Sequence, residues 1–118
     1  MRIATLCLLL ASAAQAKPLD LNVAEQRLEN GLQIVSVERF SAPTVSVQLW
    51  VRTGSRDERP GITGIAHLFE HMMFKGTKTT KPGEYSEIVA AAGGRENAFT
   101  GADYTAYFQR LEKSKLPI

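Results

Sequence analysis

His67, Glu70 and His71 stand in the order His-x-x-Glu-His, and these residue types at this spacing suit metal-assisted hydrolysis. On a helix, side chains four residues apart project from one side, so His67 and His71 can offer ring nitrogens to one ion. Neutral imidazole suits Zn2+ at near-neutral pH, and zinc held by few protein ligands keeps a position open for water. Such a metal acidifies the water and polarises a scissile carbonyl, while a nearby carboxylate takes the proton and passes it to the leaving amine. The pattern predicts His67 and His71 as metal ligands and Glu70 as general base and acid. Its bland rival is a set of polar residues on the surface of an amphipathic helix.

The elements around the cluster follow from pattern. A helix is expected from about Gly64 to Phe74 with Thr63 as its N-cap. On a wheel of about 100° per residue, Ile65, Leu68, Phe69, Met72 and Met73 share one arc and His67, Glu70, His71 and Phe74 the opposite one. The first arc is expected to face the core, the second the site. Upstream, the Asn30-Gly31 turn precedes a strand over Leu32–Glu38. After the break at Ser41–Pro43, Val45, Val47, Leu49 and Val51 alternate with polar residues and Trp50, a second strand that is expected to pair with the first. Thr53–Gly61 is a polar connection, and Lys75–Gly83 a loop. A second helix, Glu84–Ala92, ends at Gly93-Gly94. Arg95–Thr100 and Tyr104–Arg110 read as strands around a Gly101–Asp103 turn. The fold class is therefore α+β, with a mainly antiparallel sheet and helices on one face.

The chain has 118 residues and a net charge of +2. Met1–Ala16 reads as a secretory signal: Arg2 precedes a short apolar stretch, and Ala14-Gln15-Ala16 gives a small-x-small cleavage pattern before Lys17. That stretch falls short of the ~20 residues of a spanning helix, so no membrane span is expected after its removal. Residues 17–118 would form one partial domain. Loss of Arg2 takes the charge from +2 to +1, which suggests neither nucleic acid nor an anionic membrane as partner. The only cysteine, Cys7, lies in the signal, so the mature chain has no disulfide framework. Lys75, Lys78 and Lys81 read as a solvated patch, Met72 and Met73 as core, and Trp50, Tyr104, Tyr107 and Phe108 as sheet packing.

Gly64-Ile65-Ala66-His67-Leu68-Phe69-Glu70-His71-Met72-Met73-Phe74-Lys75-Gly76-Thr77 resembles the signature of the pitrilysin, insulinase and mitochondrial-processing-peptidase family, peptidase family M16, whose motif is of the inverzincin order. Leu28–Leu32 and Trp50–Glu58 resemble the family's upstream blocks. Gly93–Thr100 and Asp103–Tyr107 resemble its downstream block. The resemblance implies a zinc metalloendopeptidase, with zinc on His67 and His71 and catalysis by Glu70. It also implies that Asn97, Ala98 and Phe99 line an active-site edge strand where an extended peptide or unfolded protein is held. The family's third zinc ligand, a glutamate several dozen residues beyond the motif, has no counterpart here; Glu84, Glu87 and Glu96 do not match it. A second homologous half or subunit is the implied partner, and this chain reads as an incomplete amino-terminal part. The rival class is a non-catalytic partner or assembly subunit of the same fold. The signal implies a periplasmic or secreted protein.

Overall fold

A computed structural model describes residues 20–116; the expected signal and the final two residues lie outside the described residues. The chain divides at residues 39 and 40. In the first unit, β1 (Val23–Arg27) and β2 (Gln33–Val37) form an antiparallel hairpin with Val23 opposite Val37 and Arg27 opposite Gln33. Its turn uses Gly31 at φ +87°, a left-handed conformation that glycine adopts without strain. Asn30 Oδ1 accepts the Leu32 N–H at 3.1 Å. The expected pairing of the strand after Asn30-Gly31 with the next one is thus incorrect. A tight Asn-Gly turn joins the strands on its two sides, so β2 returns along β1, a segment whose Ala-Glu-Gln-Arg sequence carries little β signal.

The second unit contains β3 (Thr44–Val51), α1 (Ile65–Met72), α2 (Glu84–Ala91), β4 (Arg95–Thr100) and β5 (Thr105–Glu112). Its antiparallel sheet has the order β3-β5-β4. Hence β5 is central and β4 is an edge. The β4–β5 turn closes through Gly101 N–H to the Tyr104 carbonyl at 2.8 Å. Gly93, at φ +72°, follows α2 as the sequence predicts.

Period two sets Glu96, Ala98 and Thr100 on one face of β4 and Asn97 and Phe99 on the other. Thr100 hydrogen-bonds Glu70 of α1, and Glu96 receives the Ser86 hydroxyl of α2. Both helices therefore cover the same face, as expected. Tyr85 adds a third tie, donating to Gln109 Oε1 at 2.8 Å. Val89 and Leu111, each 2% exposed, anchor this layer, and burying such a side chain contributes about 2 kcal/mol. On the other face, Trp50 and Phe99 flank Ala106 in the register. Ala106 is small enough for their rings to meet edge to face across it, at 5.8 Å.

Helix α1 reverses one expectation. Leu68, Phe69, Met72 and Met73 are 58%, 62%, 53% and 59% exposed, whereas Ala66 and Glu70 are buried. The wheel separates two arcs but does not say which one meets the sheet. A polar partner on β4 turns Glu70 inward, beside Ala66 and with His67 and His71 left exposed, so neither Met72 nor Met73 is core.

The connection from β3 shows how tightly the site's support is built. Gly54 is buried, and its N–H donates to Asp57 Oδ2 at 2.9 Å. Ser55 and Arg56 N–H donate to the Gly101 and Ala102 carbonyls at 3.0 and 2.9 Å. A Cβ at Gly54 would lie 2.4 Å from the Gly101 oxygen and 2.5 Å from that of Ala102. These are backbone atoms that cannot move aside alone. Gly54→Ala is expected to lower unfolding stability by about 1–3 kcal/mol in denaturant titration; unchanged stability would contradict this docking.

Candidate active site

The helix that carries the histidines is only eight residues long, so its exposed end groups matter. Thr63 is not its N-cap. Gly64 takes that place at φ +88° and has no side chain with which to cap. Glu58, from the preceding loop, supplies the acceptors instead: Oε2 takes the Gly64 N–H at 2.8 Å and Oε1 the Ala66 N–H at 3.0 Å. These bonds, first from Gly64 and then from Ala66, hold the Glu58 carboxyl below its ordinary pKa. A negative charge there also suits the helix dipole. Sequence reading misses this cap because Glu58 lies six and eight residues from its partners, outside the capping-box spacing.

One turn along, the His67 and His71 rings lie side by side with centroids 4.5 Å apart. Their Nε2 atoms face each other at 3.0 Å, and both residues are exposed. Two bare lone pairs at that separation repel, so either one ring donates a proton to the other or a cation lies against both. A pair of converging imidazole nitrogens is a donor set that zinc accepts. Among the described residues, no group of three His, Cys, Asp or Glu could hold a metal. The fit to zinc therefore rests on these two ligands.

Glu70, on the same turn, faces the sheet and is 9% exposed. Thr100 Oγ1, at the end of β4, donates to its Oε2 at 2.5 Å. Behind Thr100 lies its register partner Thr105, with the hydroxyl oxygens 3.5 Å apart. Thr105 in turn donates to the Thr53 carbonyl at 3.0 Å. Burial, and to a lesser degree the Glu70 charge, raises the Tyr107 phenol above its ordinary pKa, so it remains a neutral donor at neutral pH. The structure thus brings His67, Glu70 and His71 onto one turn. Thr100 carried no individual role in the sequence reading; period two along Arg95–Thr100 is the signal that groups it with Glu96 and Ala98.

Asn97, Ala98 and Phe99 fall on β4, the edge strand. Asn97 Oδ1 accepts the Ala98 N–H at 2.9 Å. Phe99 turns to the aromatic face, 5.9 Å from Tyr104, and away from the helices. A cavity of about 270 Å³ opens beside Asn97, walled by Met73, Phe74, Tyr85, Glu96 and Tyr107. It lies on the α1–α2 side and is mainly apolar.

An α+β layer with an edge strand beneath a His-x-x-Glu-His helix matches known proteins in both sequence and shape. The family Insulinase (Peptidase family M16) matches residues 33–118. The zinc protease PqqE of Helicobacter pylori is 43% identical over 90 residues, covering 75% of this chain and 20% of the relative. The Bacillus subtilis protein YmxG, named an uncharacterized zinc protease, is 42% identical over 83 residues, or 70% and 20% of the two chains. The crystal structure of a Helicobacter pylori protease superposes with a TM-score of 0.78 at 40% identity, covering 81% of this chain and 23% of that one. Pitrilysin superposes with a TM-score of 0.73 at 30% identity, over 83% and 11% of the two chains. The fold and the motif thus define an M16-type peptidase layer. The chain belongs to peptidase family M16, and it spans about a fifth of the length of the curated relatives it matches.

The Glu58 cap has a pH signature. Its folded pKa is depressed, so its contribution is fully present above the unfolded value, about 4.5, and is lost as pH falls through the lower folded value. Glu58→Gln should therefore melt below wild type at pH 7, and the gap should close on acidification below about 4.5. Calorimetry across that range checks it; a gap that stays constant with pH would contradict the cap.

Proposed function

We propose that this chain carries the catalytic helix of an exported zinc-dependent metalloendopeptidase of the inverzincin type. The observation that carries the reading is the convergence of His67 and His71 Nε2 at 3.0 Å on the turn that also holds Glu70. His67 and His71 would be zinc ligands, and bound zinc supplies Lewis-acid activation of water and of the scissile carbonyl. Glu70 takes the proton of the attacking water and delivers it to the leaving amine. Its burial beside the sheet removes competing water and strengthens its charge interactions.

The edge position of β4 supports the substrate assignment. A peptide or unfolded protein added as a further strand would take the Ala98 N–H now held by Asn97, with Asn97 and Phe99 on either side. Main-chain hydrogen bonds of that kind give affinity with little sequence preference. Further polypeptide, a second M16-like half or subunit, is the partner that the exposed Leu68, Phe69, Met72 and Met73 support, because apolar patches of this kind mark interaction surfaces. Export follows from the reading of residues 1–16 as a signal and places the protein in the periplasm or outside the cell.

The test is peptide hydrolysis by the purified full-length protein and two variants. Glu70→Gln should retain zinc yet lose about 10²- to 10⁴-fold in kcat, and His67→Ala should lose both zinc and activity. Wild-type turnover in Glu70→Gln would refute the assigned base.

A further inference from the structure

We infer that Thr100 is a positioning residue for Glu70, and that Thr105 and the Thr53 carbonyl fix the direction in which its hydroxyl donates. This rests on the reading of Glu70 as the base and adds a residue that the reading does not require.

Thr105 has one hydroxyl proton, and it lies on the Thr53 carbonyl at 3.0 Å, an acceptor that can give nothing back. The second, longer contact of this hydroxyl, to Thr100 Oγ1 at 3.5 Å, also has Thr105 as the donor, so neither Thr105 contact takes the Thr100 proton. The Thr100 proton is therefore left for the Glu70 carboxylate, at 2.5 Å. Distance and charge both select Glu70, since hydrogen bonds to ionised acceptors are shorter and roughly twice as strong. Oε2 of Glu70 is pinned in this way, and Oε1 is left as the oxygen that exchanges protons with the reacting groups.

The topology explains why this device is rigid. Thr100 and Thr105 are the paired residues that close the β4–β5 hairpin, and Val51, two residues before Thr53, pairs with Thr105 from the other side. Thr105 is 5% exposed. Three strands therefore set the hydroxyl pair, while α1 brings Glu70 onto it from above. A carboxylate free to turn about its side-chain bonds would spend only part of its time aligned with a reacting proton, and misplacement of about 1 Å costs on the order of 10²-fold in rate.

Steady-state kinetics on the full-length protein tests this with Thr100→Val, Thr100→Ser and Thr100→Cys, beside Glu70→Gln. Thr100→Val removes the donor at nearly constant volume, and we expect kcat to fall about 10- to 100-fold with KM changed less than about threefold and zinc content unchanged. Thr100→Ser should restore kcat to within a few-fold of wild type, and Thr100→Cys, a weak donor, should fall between Ser and Val. If Thr100→Val fails to fold, the Ser and Cys pair decides: equal kcat values overturn the inference. So does an unchanged kcat in Thr100→Val, a rise in KM without loss of kcat, or failure of Ser to rescue. Wild-type turnover in Glu70→Gln would instead remove the functional reading itself, so the two failures are distinguishable.

Discussion

Helix α1 meets the sheet through a carboxylate. In most small α+β layers an apolar stripe fixes how a helix lies, but here Ala66 and Glu70 are the residues turned inward. Burying a charge without a partner is costly, so the hydrogen bond from Thr100 is the condition on which this packing stands. Once Glu70 is held on β4, the helical repeat sends His67 and His71 to the solvent side of the same turn, where their ring nitrogens converge. The same rotation leaves Leu68, Phe69, Met72 and Met73 facing out. Site geometry and exposed apolar surface are thus two results of one constraint.

The rest of the second unit keeps that contact in place. Glu58 ties down the start of a helix too short to be stable alone. The Gly54 turn docks on the carbonyls of the β4–β5 hairpin, next to the threonines beneath Glu70. At the other end, Ser86 on Glu96 and Tyr85 on Gln109 bind α2 to the same face. The edge strand is therefore braced along its helix-facing side, while no strand pairs with its outer edge among the described residues.

Local information was legible in the sequence, and pairing information was not. The strand over Val45–Val51 follows from alternation, the limits of β4 and α2 from the Gly101–Asp103 turn and Gly93-Gly94, and the side-by-side placement of His67 and His71 from an i, i+4 spacing that any helix enforces. The partner of β2 was misread because period two reports which residues share a face and not which strand lies beside them. Burial of Glu70 was missed because amphipathicity gives two arcs without saying which residues meet the sheet. The Thr100–Glu70 bond spans thirty residues, and Glu58 reaches its N–H partners over an irregular loop; neither leaves a periodic trace. Resemblance to M16 proteins supplied what spacing could not, the placement of Asn97, Ala98 and Phe99 on an edge strand.

On the proposed reading, His67 and His71 together hold a metal ion on the helical turn whose Glu70 is pinned by Thr100. X-ray diffraction from crystals of the full-length protein, recorded above and below the zinc absorption edge, tests it directly. The account predicts one anomalous peak within about 2.0–2.1 Å of both Nε2 atoms, with Glu70 still bonded to Thr100 and not coordinated. A zinc-loaded crystal with its peak elsewhere, or with Glu70 as a ligand, would contradict it.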